Sequence, residues 1–175
     1  MKVGFVSLGC SKNLIDTEIA IGKFKNNNYK IVNNPSEAEI IVINTCGFID
    51  SAKEEAINTI LEMAEYKEQK CRYLIVMGCL VQRYYEELKK ALPEVDLFIK
   101  IDQYGDLWKI ISGLENNAKE AIESDTKVAA QNKSYKSKIP KLPMLTQEEF
   151  MNRVVTTNKN YAYLKIAEGC SNMCT

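Results

Sequence analysis

Short apolar runs rich in valine, isoleucine and leucine recur along the first 114 residues, and between them lie longer stretches whose apolar positions return every three to four residues. The runs at 2–8, 29–32, 40–44, 73–77 and 96–99 predict strands, since continuous apolar segments of that length bounded by turn-forming residues suit a strand buried on both faces. The stretches 14–26, 52–67, 82–92 and 104–114 predict amphipathic helices. Strand and helix alternate. The expected fold is therefore α/β, a parallel sheet with flanking helices of the flavodoxin-like or Rossmann-like class.

The pattern breaks after Gly113. From 115 to 159 the chain is rich in Lys, Asn, Ser, Thr and Gln, carries prolines at 140 and 143, and shows only broken periodicity, which predicts a connector between structured units. Strand character resumes at 161–166 and runs directly into a cysteine-containing end. The expected organisation is a first domain over 1–114, a connector over 115–159, and over 160–175 the start of a second, truncated domain.

Composition narrows the chemistry. The 175 residues hold 23 basic and 23 acidic side chains, so no global basic footprint exists for a nucleic-acid backbone. There is no histidine, which excludes histidine general bases, serine-protease-type triads and imidazole-ligated zinc. A hydrophobic content of 46% against 26% charged residues is that of a folding globular chain. No apolar run approaches the roughly 20 residues that span a bilayer. With no secretion signal, six cysteines point to a reducing, cytoplasmic setting in which thiols serve metals or redox work more often than disulfides.

Three cysteines occupy equivalent places. Cys10, Cys46 and Cys79 each stand just past the C-terminal end of a predicted strand, with a glycine beside each. In a parallel sheet all strand C-termini lie along one edge, the edge where open α/β sheets bind ligands, so thiols more than 30 positions apart can converge there. Helix N-termini next to them are expected to lower their pKa, and such a set suits a soft metal or an iron-sulfur cluster. A single cysteine beyond a strand is ordinarily a small buried apolar residue. Three at the same topological place are not accounted for in that way. Cys71 precedes its strand, at the opposite edge, and is assigned no role. Cys170 and Cys174 form a Cys-x3-Cys pair after the last predicted strand; alone, that spacing fits zinc, a redox pair or no site at all.

Four stretches carry a resemblance. Ser7-Leu-Gly-Cys-Ser-Lys-Asn-Leu-Ile-Asp-Thr-Glu18, Ile43-Asn-Thr-Cys-Gly-Phe-Ile-Asp-Ser-Ala-Lys-Glu-Glu55, Gly78-Cys-Leu-Val-Gln-Arg-Tyr84 and Tyr161-Ala-Tyr-Leu-Lys-Ile-Ala-Glu-Gly-Cys170 resemble the motifs of the radical S-adenosylmethionine methylthiotransferases. They correspond to that family's N-terminal domain and to the opening of its catalytic barrel. Gly-Cys-Ser-Lys-Asn and Asn-Thr-Cys-Gly-Phe-Ile are similar to the branch that modifies a ribosomal protein. Branches that act on transfer RNA typically carry Gly-Cys-Gln-Met-Asn or Gly-Cys-Lys-Val-Asn.

The resemblance implies that Cys10, Cys46 and Cys79 ligate an auxiliary 4Fe-4S cluster, whose open iron serves as the sulfur-donating site. It implies that Cys170 and Cys174, with a third cysteine expected at position 177, hold a second 4Fe-4S cluster that binds S-adenosyl-L-methionine. The implied reaction adds a methylthio group to the β-carbon of an aspartate in a small-subunit ribosomal protein, with an electron donor such as flavodoxin. Chemistry at an unactivated C–H bond exceeds what side-chain acids and bases supply, so the lack of histidine is no obstacle. As a piece of such an enzyme the 175 residues are expected to be inactive alone. Two alternatives stand beside this reading: a stand-alone metal- or sulfur-binding module, and a transfer-RNA methylthiotransferase. Within the first motif, Asn13 or Ser11 is expected to cap the following helix, with Asp16 and Glu18 near its positive end.

Overall fold

The strand Ile40–Thr45 is buried at every residue and sits at the centre of the sheet. A computed structural model describes residues 1–120 and 151–166 of the chain. Five strands form, β1 (Lys2–Ser7), β2 (Lys30–Val32), β3 (Ile40–Thr45), β4 (Tyr73–Gly78) and β5 (Leu97–Ile99), with helices α1 (Ser11–Asn26), α2 (Asp50–Ala64), α3 (Cys79–Ala91) and α4 (Leu107–Glu120). Every ladder is parallel and the order is β2-β1-β3-β4-β5. This is the flavodoxin-like order of the doubly wound class, with its switch point between β1 and β3. No helix among the described residues is long and apolar enough to cross a membrane.

The two-residue period of a strand divides the core into two layers. Ile41 and Ile43 of β3, with Leu74 and Val76 of β4, meet Ala56, Ile60 and Met63 of α2 and Leu80, Val81 and Leu88 of α3. Ile40 and Val42, with Ile75 and Met77, face the other way. There they meet Ala20 and Phe24 of α1 and Leu107 and Ile111 of α4. Phe24 is fully buried, with the rings of Phe5, Tyr29 and Trp108 edge-on to it at 5.4, 5.2 and 6.0 Å. Removing that ring should cost about 3–5 kcal/mol.

Helix starts depart from the hydrophobic pattern. α1, α2 and α3 begin at Ser11, Asp50 and Cys79, two or three residues before the periodicity becomes visible. The first turns of α1 and α2 project past the sheet edge and need no apolar stripe, whereas the first turn of α3 places Leu80 and Val81 in the core. α4 starts later than expected, at Leu107, after a 3-10 stretch over Ile101–Asp106, and continues to Glu120, beyond the composition change at 114.

The segment at 161–166 corrects a second expectation. It forms no strand, and Leu164 and Ile166 are 76% and 90% exposed. A strand needs a neighbouring edge for its N–H and C=O groups, and among the described residues no ladder reaches this segment. Instead the stretch 151–166 is fastened to α1. The Val154 N–H donates to the Glu18 carbonyl at 3.1 Å. The buried Glu18 carboxylate accepts from Arg153 Nε at 2.7 Å, with Nη2 at 2.6 Å, and from the Thr156 N–H at 2.5 Å and hydroxyl at 2.8 Å. Lys165 Nζ lies 2.6 Å from Asp16 Oδ1, both side chains buried. Asp16 and Glu18 therefore serve as anchors for a distant segment, not as complements to the helix dipole.

Candidate metal centre

β1, β3 and β4 are adjacent in the sheet, and each delivers a cysteine to the same edge. Ser7 pairs with Asn44 and Thr45 with Gly78, so Cys46 and Cys79 leave neighbouring strands side by side. The Leu8 N–H donates to the Asn44 carbonyl at 2.9 Å and prolongs the β1–β3 pairing toward Cys10. Cys10 and Cys46 thus flank the switch point, where connections leave in opposite directions and open a crevice. Cys10 is exposed, and Cys46 and Cys79 are partly buried.

Glycine makes the approach feasible at two positions. Gly9 has φ 87°, and a Cβ there would collide with Cys46, meeting its Cβ and standing 3.0 Å from its Sγ. Gly78 has φ 112°, and a Cβ there would strike the Thr45 carbonyl. Both need the left-handed backbone that side-chain-bearing residues avoid.

Asn13 lies at the middle of the arrangement. It is buried, and its Nδ2 donates to the Leu8 carbonyl at 3.1 Å and to the Thr45 carbonyl at 3.0 Å. Its Oδ1 accepts from the Cys79 thiol at 3.7 Å. The expected capping role is therefore not what this residue performs. Cys10 is the N-cap of α1 and makes no side-chain capping bond. A polar pair at the end of β3 completes the network: Asn44 Nδ2 donates to the Asn13 carbonyl at 2.8 Å, and Thr45 Oγ1 donates to the Met77 carbonyl at 2.7 Å. Asn44 and Thr45 escaped sequence reasoning, although two polar residues closing an otherwise apolar strand were a readable signal. Arg83 reaches across from α3 to the Gly47 carbonyl at 3.2 Å and holds the loop after Cys46.

The electrostatics reverse one expectation. Cys79 is the first residue of α3, where the helix N-terminus favours thiolate. Burial nevertheless pushes its thiol above the ordinary value. Charges on Cys46, Cys10 and Asp16 push the same way, and Arg83 opposes them. Cys46 and Cys10 lie near enough for their charges to act on Cys79. Desolvation likewise raises Cys71, which sits in the core before β4, its thiol donating to the Tyr73 carbonyl at 3.4 Å. Among the described residues no three Cys, Asp, Glu or His side chains are gathered tightly enough for a single metal ion. The donors at this edge are soft sulfurs, the set that suits iron-sulfur groups better than Mg²⁺ or Ca²⁺. Cys170 and Cys174 lie outside the described residues.

Comparison with known proteins agrees with the motifs. Over its full length the chain is 55% identical to the ribosomal protein uS12 methylthiotransferase RimO of Alkaliphilus oremlandii, covering 35% of that protein. It is 47% identical to the RimO of Acetivibrio thermocellus and 48% identical to that of Clostridium botulinum, over 99% of this chain and 36% and 35% of theirs. The chain thus spans about a third of the length of these relatives. Residues 2–100, which contain the whole sheet and the three converging cysteines, match a family model described as uncharacterized protein family UPF0004, and the chain belongs to that family.

Proposed function

We propose that the chain serves in a methylthiotransferase that modifies ribosomal protein uS12, and that Cys10, Cys46 and Cys79 hold an auxiliary 4Fe-4S cluster. The observation that supports this reading is that three adjacent parallel strands each lead to a cysteine at one sheet edge, in a chain whose curated relatives bear that enzyme's name. Cys170 and Cys174 contribute to a second 4Fe-4S cluster, with S-adenosyl-L-methionine as its ligand. Bound together, these groups supply the transferable sulfur, the radical initiation and the methyl group. What the chain itself supplies is placement. The sheet edge sets the spacing of the three sulfurs, and Gly9 and Gly78 let the loops close. Arg83 puts positive charge beside Cys79, which favours the thiolate that a metal requires. Residues 1–114 form the sulfur-site domain, 115–159 a connector and 160–175 the opening of the radical domain. The enzyme works in the cytoplasm with a flavodoxin-type electron donor.

Anaerobic reconstitution with iron and sulfide tests the site. In a Cys170→Ala/Cys174→Ala background, about four irons and four sulfides per chain are expected. They should be lost on Cys10→Ala, Cys46→Ala or Cys79→Ala and kept on Cys71→Ala. Stoichiometric zinc in place of iron would overturn the assignment. For the substrate, full-length enzyme offered uS12 and transfer RNA should add a methylthio mass to the protein; modified RNA with unmodified uS12 refutes the branch.

A further inference from the structure

We infer that Asn13 is the positioning residue of the three-thiol site, a single side-chain amide that ties the loops of Cys10, Cys46 and Cys79 into one fixed arrangement. The tie stands on geometry alone; only what the thiols hold rests on the function proposed above. Leu8 and Thr45 present carbonyl oxygens, which only accept, so the group facing both must be the NH2 end of the amide. The oxygen end is then forced toward the Cys79 thiol. Leu8 lies two residues before Cys10 and Thr45 one before Cys46, so all three cysteine loops are held by one planar group. The main chain of Asn13 is held in turn. Its carbonyl accepts from Asn44 Nδ2 at 2.8 Å and from Thr17 Oγ1 at 3.0 Å.

In the metal-free chain the demand on residue 13 is narrow, two donors and one acceptor on a stem of this length at 2% exposure, and with Cys79 as a metal-bound thiolate the two donors carry the tie. Aspartate lacks the donors. Serine has one and falls short, and glutamine adds a methylene for which a buried position has no room. A purely structural residue would act on the fold as a whole. Asn13 instead acts on the relative placement of three sulfurs, and Cys71, buried at the opposite edge, supplies the internal control.

The test measures alkylation of each cysteine by mass spectrometry in the metal-free 175-residue chain. Asn13→Ala removes the partner of the Cys79 thiol and frees both carbonyls. It should speed labelling of Cys79 by about tenfold, the equivalent of one hydrogen bond, and leave Cys71 unchanged. Unchanged Cys79, or Cys71 rising in step with it, overturns the inference. A second measurement needs no variant: the two side-chain amide protons of Asn13 should exchange with solvent more slowly than those of exposed Asn27, and equal rates refute the tie. After iron loading in the Cys170→Ala/Cys174→Ala background, Asn13→Ala should release iron to a chelator several-fold faster than the parent. Equal release counts against the positioning role. If the parent holds no iron while the labelling pattern appears, the tie stands and the cluster assignment falls.

Discussion

α1 and α2 begin alike: each follows a strand that ends at a candidate ligand, and they run for sixteen and fifteen residues. Their burial differs sharply. α2 buries Ala56, Ile60 and Met63, a single stripe against the sheet, and leaves Ile57 and Leu61 partly exposed. α1 buries ten residues, among them Asn13, Asp16, Thr17 and Glu18. The difference is the segment 151–166, which covers the side of α1 that α2 leaves to solvent. A helix covered on two sides cannot leave polar groups to water, so each needs a protein partner. Glu18 finds Arg153 and Thr156, and Asp16 finds Lys165. The side of α1 away from the sheet is specified by charge, and that of α2 by nothing more than solubility.

The contrast can be broken most strongly at Arg153. Arg153→Ala strands the Glu18 carboxylate, and breaking a buried pair in this way should lower the unfolding free energy by about 3 kcal/mol. Urea denaturation followed by circular dichroism measures it. A loss below about 1 kcal/mol would mean that the segment peels away and lets water reach Glu18, in which case amide exchange at 151–166 should become fast. The Lys165–Asp16 pair is smaller. A double-mutant cycle with Lys165→Met and Asp16→Asn should give a coupling of about 1–2 kcal/mol. On α2 the corresponding change is Asp50→Asn, which removes an exposed pair with Lys53 at 2.8 Å. No measurable change in melting temperature is expected at neutral pH. The hydrogen bond from Lys53 holds the Asp50 carboxyl below its ordinary value. Any contribution is therefore full above the ordinary carboxylate range and fades as the pH falls through the lowered value. A melting temperature for Asp50→Asn that differed from the parent at pH 7 but not at pH 3 would reveal more weight on this pair than its exposure suggests.

The same contrast explains what the sequence discloses. Ile40–Thr45 and Tyr73–Gly78 announce themselves because a strand buried on both faces is mostly apolar, and the three cysteines are visible because each follows such a run. The stripe of α2 is visible for the same local reason. The buried polar face of α1 is not. Asp16 and Glu18 read as surface residues of a first turn, because their partners lie 149 and 135 residues further along the chain. No local window holds both halves of such a pair. Residues 161–166 mislead in the opposite sense: Tyr-Ala-Tyr-Leu-Lys-Ile has strand composition, but a strand is a relation between two segments and the second one is missing among the described residues. Asn13 was legible as a motif residue and illegible as a tie, since its three partners come from three different strands' ends.

The adjacency of β1, β3 and β4 sets an order of events during synthesis. Cys10, Cys46 and Cys79 are 36 and 33 positions apart and meet only across strand pairings. A zinc finger gathers its ligands locally and lets the metal drive folding. Here no nascent stretch can capture a three-sulfur ligand early. For the proposed cluster, β4 must emerge and pair first, so the slow non-local step would precede loading. Insertion of the proposed cluster would thereby be restricted to chains that have already folded, and a misfolded copy would be left as scattered thiols.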